Sequence, residues 1–176
     1  MVNHAPALLG EDLPLQLEAG FAAGFPAALP TGLSRGVGVG ASLGWCPFRI
    51  GVRAAWMTAT ESSESWEVTN SDLHLRATAG VEQVAGRGSF GLRLAAGGTL
   101  VHESRMRQQG ARAGLMGDEL ETSTWAMLPA ADLEATVDLA VYDAWHFVIS
   151  GGPSIALLDQ QPHWSWISQI GIGWRR

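Results

Sequence analysis

Cysteine is nearly absent: the sequence holds one, Cys46, so no disulfide can close within the chain. It stands in the turn Cys46-Pro47-Phe48, where a small buried or interfacial thiol is expected rather than a reactive one. Long apolar runs are missing as well. No stretch of about 18 residues is free of charge and proline, which excludes a membrane-spanning helix, and the nearest, Phe21 to Leu33, is broken by Pro26 and Pro30. Charged residues make up only 16% of the chain and the net charge is -6, with the eleven basic residues scattered, so no nucleic-acid partner is expected. No pair of histidines or cysteines has zinc-like spacing, and no metal or cofactor is expected. Residues 1–13, MVNHAPALLGEDL, lack a basic n-region, a long apolar core and an A-x-A cleavage site. They read as a leader, mobile or periplasmic, and the targeting signal of an exported chain is expected to have been removed.

What is present is alternation. Apolar residues make up 47% of the chain, yet the mean hydropathy is only +0.10, which suits a period of two better than apolar blocks. The final segment, Trp164 to Arg176, sets Trp164, Trp166, Ile170, Ile172 and Trp174 against Ser165, Gln169, Gly171, Gly173 and Arg175. Seven earlier segments follow the same pattern: Leu15 to Phe25, Gly36 to Trp45, Arg49 to Thr58, Asp72 to Glu82, Ser89 to about Glu103, Thr124 to Asp138 and Ala144 to about Ala156. Pro129 interrupts the sixth and predicts a bulge there, because proline cannot donate to the ladder. The connections alternate between short (Cys46 to Phe48, Gln83 to Gly88, Leu139 to Asp143) and long (Pro26 to Arg35, Ala59 to Ser71, Ser104 to Ser123, Leu157 to His163). The stretch from Arg105 to Glu121 has room for a short helix.

Volume decides which face is outside. The apolar parity carries Trp45, Trp56, Trp125, Trp145, Trp164, Trp166, Trp174, Phe21, Phe25, Phe90 and Phe147, too much to fit inside an eight-stranded barrel. Glycine, alanine, serine, threonine and a few charges dominate the other parity, and they fit. Trp45, Phe90, Trp145 and Trp174 fall at the short-turn ends of their segments and Trp56, Trp125, Trp164 and Trp166 at the long-loop ends, as two membrane-interface belts do. The fold expected is therefore all-β: one domain over residues 14–176, an eight-stranded antiparallel up-and-down transmembrane β-barrel with short periplasmic turns and longer extracellular loops.

In strand number, loop alternation and the terminal Gln169-x-Gly171-x-x-Trp174 stretch, the chain resembles the small outer-membrane barrels of the OmpA and OmpX type over roughly Leu15 to Arg176. That stretch is similar to the polar-x-Gly-x-x-aromatic signal read by the barrel-insertion machinery, which the resemblance implies as a partner through Gln169, Gly171 and Trp174. Here the chain runs on to Arg175 and Arg176, whereas the family commonly ends on the aromatic. The resemblance also implies a bacterial outer-membrane location, with membrane lipid and lipopolysaccharide as surroundings.

The polar parity carries Glu18, Arg53, Asp72, His74, Arg76, Glu82, Arg93, Glu103, Asp132, Glu134 and His146, with Arg175 near the end. Buried ions need partners, so these are expected to form a salt-bridge plug, with Arg53, Arg76 and Arg93 bridging carboxylates on neighbouring strands. Eight-stranded lipid A deacylases use a His and a Ser near the outer leaflet, which singles out His102-Glu103-Ser104; side chains two apart on a strand diverge, however, and no catalytic residue is assigned. The glycines of GVGVGASLG make room inside the barrel and do not form a phosphate loop. Trp66, in the acidic, hydroxyl-rich ATESSESWEVTNSD, is a candidate contact residue of an extracellular loop. The expected role is non-enzymatic, structural or partner-binding through those loops. The alternatives are a narrow transport or assembly subunit of an envelope complex, and an outer-leaflet lipid-modifying enzyme.

Overall fold

The computed structural model describes residues 14–25, 32–45, 47–63, 66–107, 121–158 and 160–176. These form eight strands, β1 (Leu15–Phe25), β2 (Ser34–Trp45), β3 (Phe48–Ser62), β4 (Trp66–Ala85), β5 (Gly88–Arg107), β6 (Glu121–Tyr142), β7 (Trp145–Leu158) and β8 (Gln161–Arg175). Each pairs antiparallel with the next, and β8 returns to β1 to close the barrel. The expected leader over residues 1–13, the thiol of Cys46 and a helix beyond Arg107 lie outside the described residues.

Tight turns join the strands at one rim. Between β4 and β5 only Gly86 and Arg87 separate the paired Ala85 and Gly88, and Gly86 has a φ of 62°, as a two-residue hairpin with glycine first requires. Closure depends on glycine too. Gly20 and Gly171 face each other across the β1–β8 seam, and a Cβ on Gly171 would stand 2.2 Å from the Ala19 carbonyl oxygen.

The strands run further than the apolar pattern predicts, above all on one side. β4, β5 and β6 have 20, 20 and 22 residues, so much of what reads as long loop after Thr58 and after Glu103 is strand. Trp66 opens β4 instead of sitting in a loop. The cause lies on the outer face. Beyond the row Trp56–Leu73–Leu100–Met127, the paired outward residues become Thr58–Ser71–His102–Trp125 and then Thr60–Thr69–Ser104–Ser123. Backbone pairing continues, but with polar residues on both faces the period-two signal disappears.

Pro129 makes no bulge: it pairs with Gly98 in unbroken register, and the β6 irregularity falls between Ala140 and Tyr142. Proline stands where the β6–β7 ladder stops, Ala130–Ala156 being its outermost pair. A residue without an N–H costs nothing at a strand edge.

Inside, the half nearer the long loops holds two apolar clusters beside the buried Ser34, Asn70 and Asp72. Met57 packs with Ala22, Ala55 and Ile167, while Leu128, Ala130 and Ala156 pack with Val101, Ala126 and Leu158. The half nearer the short turns is filled with charge.

Candidate functional site: the lumen and the outer sheet

Arginines from β3, β4 and β5 cross the lumen to carboxylates on β6 and β1. Arg53 forks onto both oxygens of Glu134, one contact being 2.6 Å, and its Nη2 lies 3.9 Å from Asp132. The Arg76 Nε donates to Asp132 at 2.8 Å while its Nη1 donates to the Gly98 carbonyl at 2.6 Å. Ser154 donates its hydroxyl to the other Asp132 oxygen at 2.5 Å. Arg93 meets Glu18 at 3.0 Å. The partners of Arg53, Arg76 and Arg93 are thus on distant strands, not on the neighbouring strands expected, because the lumen is narrow enough for an extended arginine to span.

Near the short-turn mouth, Arg49 and Arg175 both reach Glu82, at 2.6 and 2.9 Å. Asp138 accepts from Arg175 at 3.1 Å and from Gln16 at 3.0 Å, and lies 2.6 Å from Nδ1 of His146. Arg49 and Asp138 are missing from the charge set proposed from the sequence, although both stand on the polar parity of their strands; parity was the signal, and position near a turn hid it. Glu103 does not join the network. It sits towards the outer end of β5 and pairs along its own strand with Arg105 at 2.6 Å. Asp72 is buried with no ion pair among the described residues, and His74 turns Nδ1 towards Thr99 and Arg76, at 3.2 and 3.4 Å.

The outer wall is apolar. Val39, Val52, Leu75, Leu92, Leu94, Leu133 and Ile170 are all exposed along its middle. Trp45, Phe90 and Trp145 are exposed at the short-turn end, where Trp145 pairs with the half-buried Trp174, and Trp56, Trp125, Trp164 and Trp166 are exposed at the other end. Of the insertion-signal residues, Gln169 points inward and donates its amide to the Gly38 carbonyl at 3.4 Å, and Gly171 occupies the seam. His102 has a partner other than Ser104: its Nε2 lies 2.8 Å from the Ser123 hydroxyl, and its ring stacks on Trp125 with centroids 4.2 Å apart. Among the described residues, no group of three or more His, Cys, Asp or Glu is placed to hold a metal ion.

No family profile and no curated protein matches the sequence. Solved structures do resemble the chain. Ail, the attachment invasion locus protein of Yersinia pestis, matches over 94% of this chain and 100% of its own, at 12% identity with a TM-score of 0.62; that structure holds the heparin analogue sucrose octasulfate. A second Ail structure gives 0.59. Neisserial surface protein A matches over 93% of this chain and 95% of its own, at 10% identity and a TM-score of 0.53. The chain has the fold of a small eight-stranded outer-membrane barrel. Its lipid-compatible wall between two aromatic rims is the surface of a membrane-spanning barrel.

The wall of the outer-membrane barrel is uneven in height. From the Trp56 row to the paired Ser62–Glu67–Met106–Glu121 row, β3 to β6 rise by six residues, about 20 Å of strand. This sheet carries Glu61, Glu67, Glu103 and Glu121 against Arg105 and Arg107. On one side, β6 from Glu121 to Pro129 pairs only with β5 among the described residues. Ala59–Ser62 of β3 likewise lie beyond the last β2 pair, Arg35–Thr58.

Proposed function

We propose that the protein is a non-catalytic anchor whose closed barrel, plugged by the cross-lumen ion pairs, holds a projecting sheet out from the cell. The sheet offers its β6 edge to an extended segment of a partner protein. The observation carrying this reading is the β6 stretch Glu121–Ala126, which among the described residues is paired on one side only and stands above the last apolar row. An unpaired edge presents a line of backbone donors and acceptors, and strand addition satisfies them. The acidic balance of the sheet favours a segment with basic side chains and argues against the polyanionic sugar bound to Ail.

Photo-crosslinking from position 123 in native membranes tests it. The expected result is a protein adduct whose linked segment is short and basic. Ser123→Pro and Thr124→Pro remove adjacent N–H groups that point to opposite sides of β6, so one should abolish the adduct and the other should weaken the β5 ladder. Absence of an adduct from every position between 121 and 128 would refute the proposal.

Transport is not favoured. The gaps within the lumen beside His74 and beside Arg93 measure about 20 and 10 Å³, each no larger than one water. In planar bilayers we expect no discrete conductance steps, and steps abolished by Arg53→Ala would overturn the plug.

A further inference from the structure

Asp72 and His74 follow one another on the inward face of β4, and each leaves one buried polar atom without a partner: Oδ1 of Asp72 and Nε2 of His74. Each of the other lumen carboxylates, Glu18, Glu82, Asp132, Glu134 and Asp138, has an arginine. Both unpartnered residues line the same enclosed gap of about 20 Å³, with Thr99 and Ser165 as further polar walls and Met57, Leu128, Ala156 and Ile167 among the apolar ones.

Hydrogen bonding around His74 narrows what can occupy that gap. The Arg76 Nη2 donates to the Thr99 hydroxyl oxygen at 3.0 Å, which frees the Thr99 hydrogen for Nδ1 of His74 at 3.2 Å. The same Arg76 nitrogen stands 3.4 Å from Nδ1 and cannot accept. The Arg76 donor facing Nδ1 favours that nitrogen as the acceptor of the Thr99 hydrogen, an arrangement that places the ring hydrogen on Nε2. The gap is therefore bordered by a donor, Nε2–H, and an acceptor, the Asp72 carboxylate. A cation has no lone pair for Nε2–H, and an anion is repelled by Asp72. Only a small neutral molecule that both accepts and donates suits the two together.

We infer that the gap holds one water molecule, which accepts from Nε2 of His74 and donates to Oδ1 of Asp72. Its volume admits one water, and two polar partners meet the minimum for a structural one. The result is an unbroken chain from Asp72 through water, His74 and Thr99 to the Arg76 guanidinium. The lumen carboxylate without an arginine of its own thereby joins the ionic network, and the apolar layer around Met57 closes the chain off from the outer half.

Nitrogen-15 spectra of histidine-labelled protein in lipid nanodiscs, with water-selective cross-relaxation, test this directly. The expected result is the Nε2–H form of His74 with a cross-peak from its ring hydrogen to a long-lived water. The Nδ1–H form, or no water cross-peak, would overturn the inference. A second arm uses Ala156→Val, which fills the gap from β7. Displacing a bonded water strands two polar groups and should lower the heat-unfolding midpoint by about 3 °C or more, whereas filling an empty gap would raise it.

Discussion

Removing the Glu134 carboxylate should be among the most damaging single changes in the barrel. Its side chain is 2% exposed and the Arg53 side chain 8%, so Glu134→Ala leaves a guanidinium charge in the lumen that water cannot reach. Asp132 cannot take over the fork: it lies 3.9 Å from Arg53 and already accepts from Arg76 at 2.8 Å and Ser154 at 2.5 Å. Breaking one side of a buried pair costs about 3–5 kcal/mol, while replacing both sides with packed apolar groups is close to neutral. Arg53→Met with Glu134→Leu should therefore recover to within about 1 kcal/mol of the parent, with Asp132 still served by Arg76. Urea unfolding in lipid vesicles, followed by the fluorescence of the eight tryptophans, reads both. With a denaturant slope of about 2 kcal/mol/M, the single change should move the midpoint down by about 1.5–2.5 M. A shift under about 0.5 M, or a double variant as unstable as the single one, would refute the view that the cross-lumen pairs are buried ions held by their partners.

Two other substitutions probe the wall and the seam. Leu75→Arg, in the middle of the lipid-facing surface, should cost about 2–4 kcal/mol, while Thr69→Arg, above the apolar rows on the same strand, should cost little; equal penalties in vesicle unfolding would misplace the membrane. Gly171→Val should prevent the β1–β8 approach, since even its first carbon would stand 2.2 Å from the Ala19 oxygen, and the heat-modifiable gel band of a closed barrel should disappear. Retention of that band would show that the seam can open to admit a side chain.

The architecture was legible because a lipid-facing wall and a packed lumen impose opposite demands on alternate residues, so every strand from Leu15–Phe25 onward announces itself by parity. Legibility ended where that contrast ended. Above the Trp56 row, threonines and serines occupy the outer face, the two faces become alike, and Trp66 and the start of β6 read as loop. Parity also selects which charges face inward without pairing them, since strand tilt and stagger decide which residues meet across the lumen. Hence Arg53 finds Glu134 on β6, while Glu103, of the correct parity, lies too far out to take part. The bulge expected at Pro129 is absent, because proline in a strand has two outcomes, a bulge or an edge, and only knowledge of where β7 ends distinguishes them.

Residue-resolved amide exchange of the barrel in lipid bilayers tests most directly whether the β6 edge is free. Between Glu121 and Leu128, amides facing β5 should be protected and the alternate ones, facing away from β5, should exchange fast; from Ala130 to Leu139, with β5 on one side and β7 on the other, protection should be continuous. Uniform protection along the whole of β6 would mean that the chain already covers its own edge, and the partner-binding role would fall with it.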